Sequence, residues 1–299
     1  MNWKKLGQVY HCNIDHPLLK THASNPLAVH LRDDIYRVYF SGRDKQNRSS
    51  VGFVDMDILS HEIVNECQEP VFVFGEEGSF YSHGVSIGNL YLQNNVETIL
   101  FMGWNIPKEE HWRGDIGKLE IRNGNFTLQP TTAFMATDAE DPISLSYPCV
   151  IFHDGIYKMW YGSTITWQAE NGEMIHVIKY ATSKDGTSWD KHGVAVPYEI
   201  NIAQAFSRPT VLIDDNGFHM WYSFRSGSGT KYRIGYAHSN DGINWQRKHE
   251  TCGIDVSSNS WDSEMICYPF VFVHNGKRYM LYNGNSFGKD GFGLAVLED

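Results

Sequence analysis

Residues 146–161 read Ser-Tyr-Pro-Cys-Val-Ile-Phe-His-Asp-Gly-Ile-Tyr-Lys-Met-Trp-Tyr, and residues 207–222 read Ser-Arg-Pro-Thr-Val-Leu-Ile-Asp-Asp-Asn-Gly-Phe-His-Met-Trp-Tyr. In both, a proline opens an apolar run, an Asp-Gly or Asn-Gly pair supplies residues that accept positive φ in a tight turn, and an alternating aromatic strand follows. Pro148 and Pro209 are 61 residues apart. Ser24-Asn25-Pro26 and Cys267-Tyr268-Pro269 begin the same pattern, with Pro269 standing 60 residues after Pro209 and Pro26 two periods before Pro148. The spacing predicts a fifth copy near residue 87, where His83-Gly84-Val85-Ser86-Ile87-Gly88-Asn89-Leu90 keeps the pattern without the proline. Each anchor is followed thirteen residues later by Tyr39, Leu100, Tyr161, Tyr222 or Tyr282.

After the hairpin the middle copies continue through a third strand into a second turn, Ser183-Lys184-Asp185-Gly186-Thr187-Ser188-Trp189 and Ser239-Asn240-Asp241-Gly242-Ile243-Asn244-Trp245. Four short strands recurring with a period near 60 predict an all-β, five-bladed β-propeller over residues 1–299, built as a single domain. A β-sandwich would give no reason for the repeat. The last copy runs out of chain after three strands, so Trp3–Tyr10 is expected to pair into the last blade and close the ring, with Trp3 taking the place of Trp189 and Trp245. Closure of this kind protects both free edges.

The 299 residues are 14% aromatic and carry a formal net charge of −10 with no run of Lys or Arg. That composition suits pleated strands and argues against binding to a nucleic-acid backbone, which needs a basic surface. Two lysines near the start have no apolar run after them, so neither a signal peptide nor a membrane span is predicted and a cytoplasmic location follows. Five widely spaced cysteines predict reduced, buried thiols. Phosphate-loop, dinucleotide, nucleophile-elbow and zinc-helix motifs are missing, so no cofactor or metal is expected.

In a propeller the inner strand of each blade lines the channel, and the residues before each anchor converge on one mouth of it. Glu264 and Asp262 precede the last anchor and Asp141 the third. Two carboxylates facing each other over a sugar are what glycosidic cleavage needs, one to protonate the leaving oxygen and one to activate water or attack the anomeric carbon. Glu264, in an aromatic stretch expected to raise its pKa, is the candidate acid, and Asp141 or Asp44 the candidate partner. His22 and His83, 61 residues apart, are expected at one repeat position as substrate ligands. Arg43, Arg208 and Arg225 suit an anionic substrate, Asp262 hydroxyl binding, and Trp104 stacking on a sugar face. Structural alternatives stand beside each: histidines bonded between blades, Arg43–Asp44 and Arg208–Glu264 ion pairs, and Asp141 in a turn.

The fivefold hairpin, the Tyr-Lys-Met-Trp-Tyr strand at residues 157–161, Ser207-Arg208-Pro209 and Ser263-Glu264-Met265-Ile266-Cys267-Tyr268-Pro269 together resemble the five-bladed propeller glycosidases, the superfamily of glycoside hydrolase families 43, 32 and 130. The Asp-Gly-Trp hairpins are also similar to sialidase Asp boxes, one residue short between Asp and Gly. The resemblance implies glycoside hydrolase activity on a carbohydrate substrate, an oligosaccharide or polysaccharide held in the central pocket. It also marks a departure, because families 43 and 32 place an aspartate at the start of the first inner strand, where this chain reads His22-Ala23-Ser24-Asn25-Pro26. With that carboxylate displaced to Asp44 or Asp141, or missing, phosphorolysis, transfer from an anionic donor and sugar binding without catalysis stand as alternatives to hydrolysis.

Overall fold

The computed structural model describes residues 1–227 and 229–298. Twenty strands lie along the described residues. The first is β1 (Asn2–Tyr10). Sheet one contains β2 (Thr21–Arg32), β3 (Ile35–Arg43), β4 (Ser49–Asp57) and β5 (Ile63–Glu66). Sheet two follows with β6 (Gly84–Gln93), β7 (Val96–Asn105), β8 (Arg113–Arg122) and β9 (Asn125–Leu128), and sheet three with β10 (Leu145–His153), β11 (Ile156–Thr166), β12 (Ile175–Ser183) and β13 (Asp190–Val194). Sheet four has β14 (Ala205–Asp214), β15 (Gly217–Arg225), β16 (Arg233–Ser239) and the short β17 (Gln246–Arg247). Sheet five has β18 (Cys267–His274), β19 (Lys277–Asn283) and β20 (Phe292–Glu298), and its fourth strand is β1. Within each of these four-strand units neighbouring strands run antiparallel in chain order, and single parallel bridges, Ser49↔Gly84 and His176↔Ala205, join unit one to two and three to four as continuous sheets.

The innermost strands β2, β6, β10, β14 and β18 each touch the next, and β18 touches β2. The sheets therefore form a closed ring around an axis, the propeller that the repeat predicts. Each gap between sheets is filled by its own apolar layer, as in the cluster of Leu27, Val51, Ile87 and Phe101 between sheets one and two.

The seam closes as expected. β1 pairs antiparallel with β20 from Asn2↔Glu298 to Tyr10↔Phe292. Trp3 packs edge-on against Trp221 at 6.0 Å and 84°, just as Trp245 packs against Trp160 at 5.8 Å and 89°. The N-terminal tryptophan thus repeats a contact made one sheet earlier. In the Asp-Gly turns Asp185 accepts from the backbone of Thr187 and Ser188, and Asp241 from that of Ile243 and Asn244. All five cysteines are buried free thiols.

At the anchors the inner strands bulge, and the residue before each proline is left-handed: Asn25 (φ 55°), Tyr147 (41°), Arg208 (49°) and Tyr268 (54°). Non-glycine residues held there cost on the order of 1–3 kcal/mol each and recur at functional sites. The second copy differs from the expectation. Its register breaks between Ile87 and Leu90, and Leu90 pairs with Ile99 nine positions on, whereas Cys149 pairs with Trp160 eleven positions on. This hairpin is two residues shorter, so the 61-residue spacing of His22 and His83 is not a structural equivalence. His22 lies inside β2, three residues before the bulge; His83 lies just outside β6, five before it.

Candidate axial site

All five sheets contribute to one cavity of about 370 Å³ at the mouth of the channel. Arg43 and Asn47 come from sheet one, Ser86, Trp104 and Trp112 from sheet two, and Tyr147 and His176 from sheet three. Sheet four supplies Phe206, Ser207, Arg225 and Tyr232, and sheet five Tyr268 and Phe287. The walls are aromatic and the polar groups few, a combination that suits a ligand held by stacking and oriented by hydrogen bonds.

The floor is made by the bulge residues. Tyr147 and Tyr268, from sheets three and five, meet with their hydroxyls 3.3 Å apart. Arg208, from the sheet between them, is buried, and its guanidinium donates across the axis to the carbonyls of Pro26 (2.7 Å) and Ile87 (3.2 Å). Among the described residues no carboxylate lies within 4.0 Å of it, and burial drives its pKa down to about 10. The expected Arg208–Glu264 pair is not formed. Among the described residues Ser207, also buried and lining the cavity, has a hydroxyl with no partner, as has the amide oxygen of the buried Asn25.

Arg43 enters at the rim from the end of β3 and donates to Asn47 Oδ1 at 2.7 Å. It does not pair with Asp44. That buried carboxylate accepts instead from the backbone of Gln46 and Arg48 and pairs with the Arg48 guanidinium at 2.8 Å, bracing the β3–β4 turn without itself lining the cavity. Arg225 does face a carboxylate, Glu173, at 3.0 Å through two nitrogens, and lies 4.9 Å over the Tyr232 ring. Trp104 donates to Ser49 Oγ, which pins its ring as one wall.

The other carboxylate candidates stand elsewhere. Glu264 has a side chain 64% exposed, 4.0 Å from Lys231, and does not line the cavity; the apolar surroundings expected to raise its pKa are not there. Asp141 is fully buried inside sheet three, accepting from Tyr161 (3.0 Å) and Ser163 (2.6 Å) and pairing with Lys179 (2.8 Å) and Lys191 (2.6 Å). Burial pushes its pKa up, but the two lysines and Ser163 outweigh this and hold the carboxyl below the usual range. Asp262, buried in sheet five, accepts from Tyr282 (3.1 Å) and pairs with Lys5 of β1 (2.7 Å). Asp141 and Asp262 are the same device two blades apart: a carboxylate locking the second-strand tyrosine to a lysine of the outer strand.

Of the histidines, His22 is driven down to about 4 by burial and by the charges of Arg43 and Lys289, so it is neutral at pH 7. The Ile106 N–H donates to His83 Nδ1 (3.3 Å), placing the ring proton on Nε2, with the ring 5.9 Å from Trp104. Neither lines the cavity. His176, at the start of β12, does, and sequence reasoning passed over it. Its nitrogens are occupied by Ser146 (2.6 Å) and Thr164 (2.7 Å), and burial lowers its pKa to about 4. Tyr147, Tyr268 and Asn25 were also missed as site residues, although their signal, the residue before each anchor proline, was in plain view.

A pH prediction follows from His176. Its folded pKa lies below that of the unfolded imidazole, near 6.5, so the unfolded state takes up the proton first as pH falls. Its contribution is complete above pH 6.5 and is lost downward toward pH 4. Urea titrations are expected to show His176 costing about 2 kcal/mol of stability at pH 5 relative to pH 7, with a shallower pH slope in His176→Gln.

Among the described residues the lining contains no Asp or Glu, and no group of three or more His, Cys, Asp or Glu is arranged to hold a metal. No protein-family model matches the chain. Two proteins of Mycobacterium tuberculosis, Uncharacterized protein Rv1502 and Uncharacterized protein MT1551, are each 41% identical to it over 302 residues, covering all of both chains. Among solved structures, one described as a glycoside hydrolase superposes with a TM-score of 0.77 at 13% identity, covering 99% of this chain and 92% of its own. One from work on the GH130 family of mannoside phosphorylases gives 0.70 at 13%, covering 99% and 94%. The sucrose-6-phosphate hydrolase of Lactobacillus gasseri gives 0.64 at 12%, covering 94% of this chain and 62% of its own. The fold is that of the propeller glycosidases.

Proposed function

We propose, for a chain that belongs to the family of the Mycobacterium tuberculosis protein Rv1502 and has the propeller-glycosidase fold, that it is a carbohydrate-active enzyme whose axial cavity takes an anionic sugar substrate. The observation that carries this reading is the lining itself: tryptophan and tyrosine walls, the guanidinium of Arg43 free of any carboxylate within 4.0 Å among the described residues, the unpartnered Ser207 hydroxyl, and no acidic side chain. Aromatic walls stack on a sugar ring. A guanidinium with no internal counter-ion favours a phosphate or carboxylate on the ligand.

The same lining disfavours hydrolysis by two facing carboxylates and favours transfer or phosphorolysis. In phosphorolysis an oxygen of the phosphate held at Arg43 forms the new bond to the anomeric carbon. The glycosidic bond breaks with its electron pair passing to the bridging oxygen, which takes a proton. Tyr147 and Tyr268 are the hydroxyls on the axis that could supply it, with the buried Arg208 cation beneath to stabilise the oxygen left behind.

The test is a turnover and binding screen of neutral oligosaccharides, sugar phosphates and sugar nucleotides, each with and without inorganic phosphate. Product is expected from an anionic substrate or in the presence of phosphate. Arg43→Gln is expected to weaken binding of that substrate roughly 10- to 100-fold, the scale of one charge-assisted hydrogen bond, while Glu264→Gln changes nothing. Saturable binding with no product from any substrate would defeat the enzyme reading and leave a sugar-binding propeller.

A further inference from the structure

Over sheets two and three the cavity wall continues outward as an aromatic ledge. Trp112, which lines the cavity, lies just before β8. Its ring meets Trp167, from the β11–β12 connection of the next sheet, edge-on at 4.8 Å and 72°, and Trp167 is stacked at 4.9 Å and 26° on the exposed His111. Trp112 also approaches the cavity-wall His176 at 6.2 Å. Ile106 and Ile165 beside the two connections are 48% and 42% exposed.

Three observations give the ledge a ligand. It is continuous with the cavity, because Trp112 belongs to both. Its rings brace one another in edge-on and stacked contacts, which preorganises them and lowers the entropy lost on binding. The same two connections carry the exposed polar side chains of Glu109, Glu110 and Gln168, and the exposed His111 stacks on Trp167. Aromatic faces set among polar groups match the alternating C–H faces and hydroxyl edges of a sugar ring better than they match a lipid chain.

We infer that Trp112, Trp167 and His111 form an outer subsite for a second sugar unit, so that the substrate is an oligosaccharide or other extended glycan rather than a monosaccharide derivative. This rests on the carbohydrate reading of the axial cavity. The second ring lies over the β7–β8 and β11–β12 connections of sheets two and three, while the terminal unit occupies the axis beside Trp104 and Arg43.

The test is calorimetric titration of wild type, Trp167→Ala and Trp167→Phe with malto-, manno- and xylo-oligosaccharide ladders of increasing length, bare and end-phosphorylated, with octyl glycosides of the same sugars as controls. For the series that binds, the gain from the first to the second unit is expected to be about 3- to 10-fold, the worth of one aromatic contact. Trp167→Ala abolishes that gain and leaves the single-unit affinity unchanged, and Trp167→Phe restores most of it. Affinity independent of length in wild type, or a gain that survives in Trp167→Ala, overturns the subsite while leaving the axial reading intact. An octyl chain that gains as much as a second sugar overturns it in favour of an apolar aglycone. Failure of every ladder to bind wild type overturns the axial reading and the subsite together.

Discussion

A chain lacking residues 1–10 is expected not to hold the fold at all. The deletion removes the outer strand of sheet five along its whole pairing with β20. It also takes away the buried Trp3 and Tyr10, each worth about 3–5 kcal/mol by analogy with large aromatic truncations in cores. The loss of Lys5 leaves Asp262 buried without its 2.7 Å counter-charge, at a further cost of about 3–5 kcal/mol. Together these approach or exceed the roughly 5–15 kcal/mol by which a folded protein exceeds its unfolded state. Calorimetry of the truncated chain should show no cooperative transition, or one far below wild type. The single substitution Trp3→Ala should lose about 3–5 kcal/mol in denaturant titrations without changing the fold. A truncated chain that melts with wild type would mean the ring does not depend on its seam.

The second large effect is expected at Asp141, which does not line the cavity. Its two lysines have side chains only 14% and 9% exposed. Asp141→Ala would leave Lys179 with no carboxylate at contact distance and Lys191 with Asp138 alone. It would also orphan the hydroxyls of Tyr161 and Ser163. Breaking one side of such a cluster costs on the order of 3–5 kcal/mol, so the urea midpoint should fall sharply, whereas Glu264→Ala, at an exposed position, should shift it by no more than about 0.5 kcal/mol. Residual Asp141→Ala protein that still folds should bind the axial ligand as wild type does, because the cluster braces sheet three rather than contacting the ligand.

These expectations show how differently fold and site are written in the chain. The ring was legible because each blade must bury the same two faces against its neighbours. Periodic constraint keeps Trp160 and Trp221 in step, and even lets Trp3 stand in across the seam for a residue at the other end of the chain. A carboxylate before an anchor carries no such signature. Asp141 and Asp262 lie where catalytic acids were sought, yet each is consumed by a tyrosine and a lysine that approach from strands distant in sequence. Glu264 is placed in solvent by a loop whose path no periodicity sets. The arginines divide in the same way, since Arg225 finds Glu173 fifty-two residues away while Arg208 finds only carbonyls.

The axial residues themselves were half-visible. Asn25, Tyr147, Arg208 and Tyr268 share one position before the anchor proline, and a residue forced into left-handed φ at a bulge is aimed differently from its strand neighbours. The sequence pattern marked the position. It did not show that the bulge brings sheets three and five into contact across the axis. Nor did it reveal the shorter hairpin of sheet two, which separates His83 from the place His22 occupies. Two residues of hairpin length, weightless in composition, decide which side chains share the channel mouth.

The most direct measurement is a crystal structure of the wild-type protein with the sugar phosphate or phosphorylated oligosaccharide that the screen selects. The account predicts one ordered ligand on the axis, its sugar face against Trp104, its anionic group within hydrogen-bond reach of Arg43, and a hydroxyl at Ser207. A ligand ordered elsewhere with the axial cavity empty, together with solution binding that Arg43→Gln leaves unchanged, would contradict it.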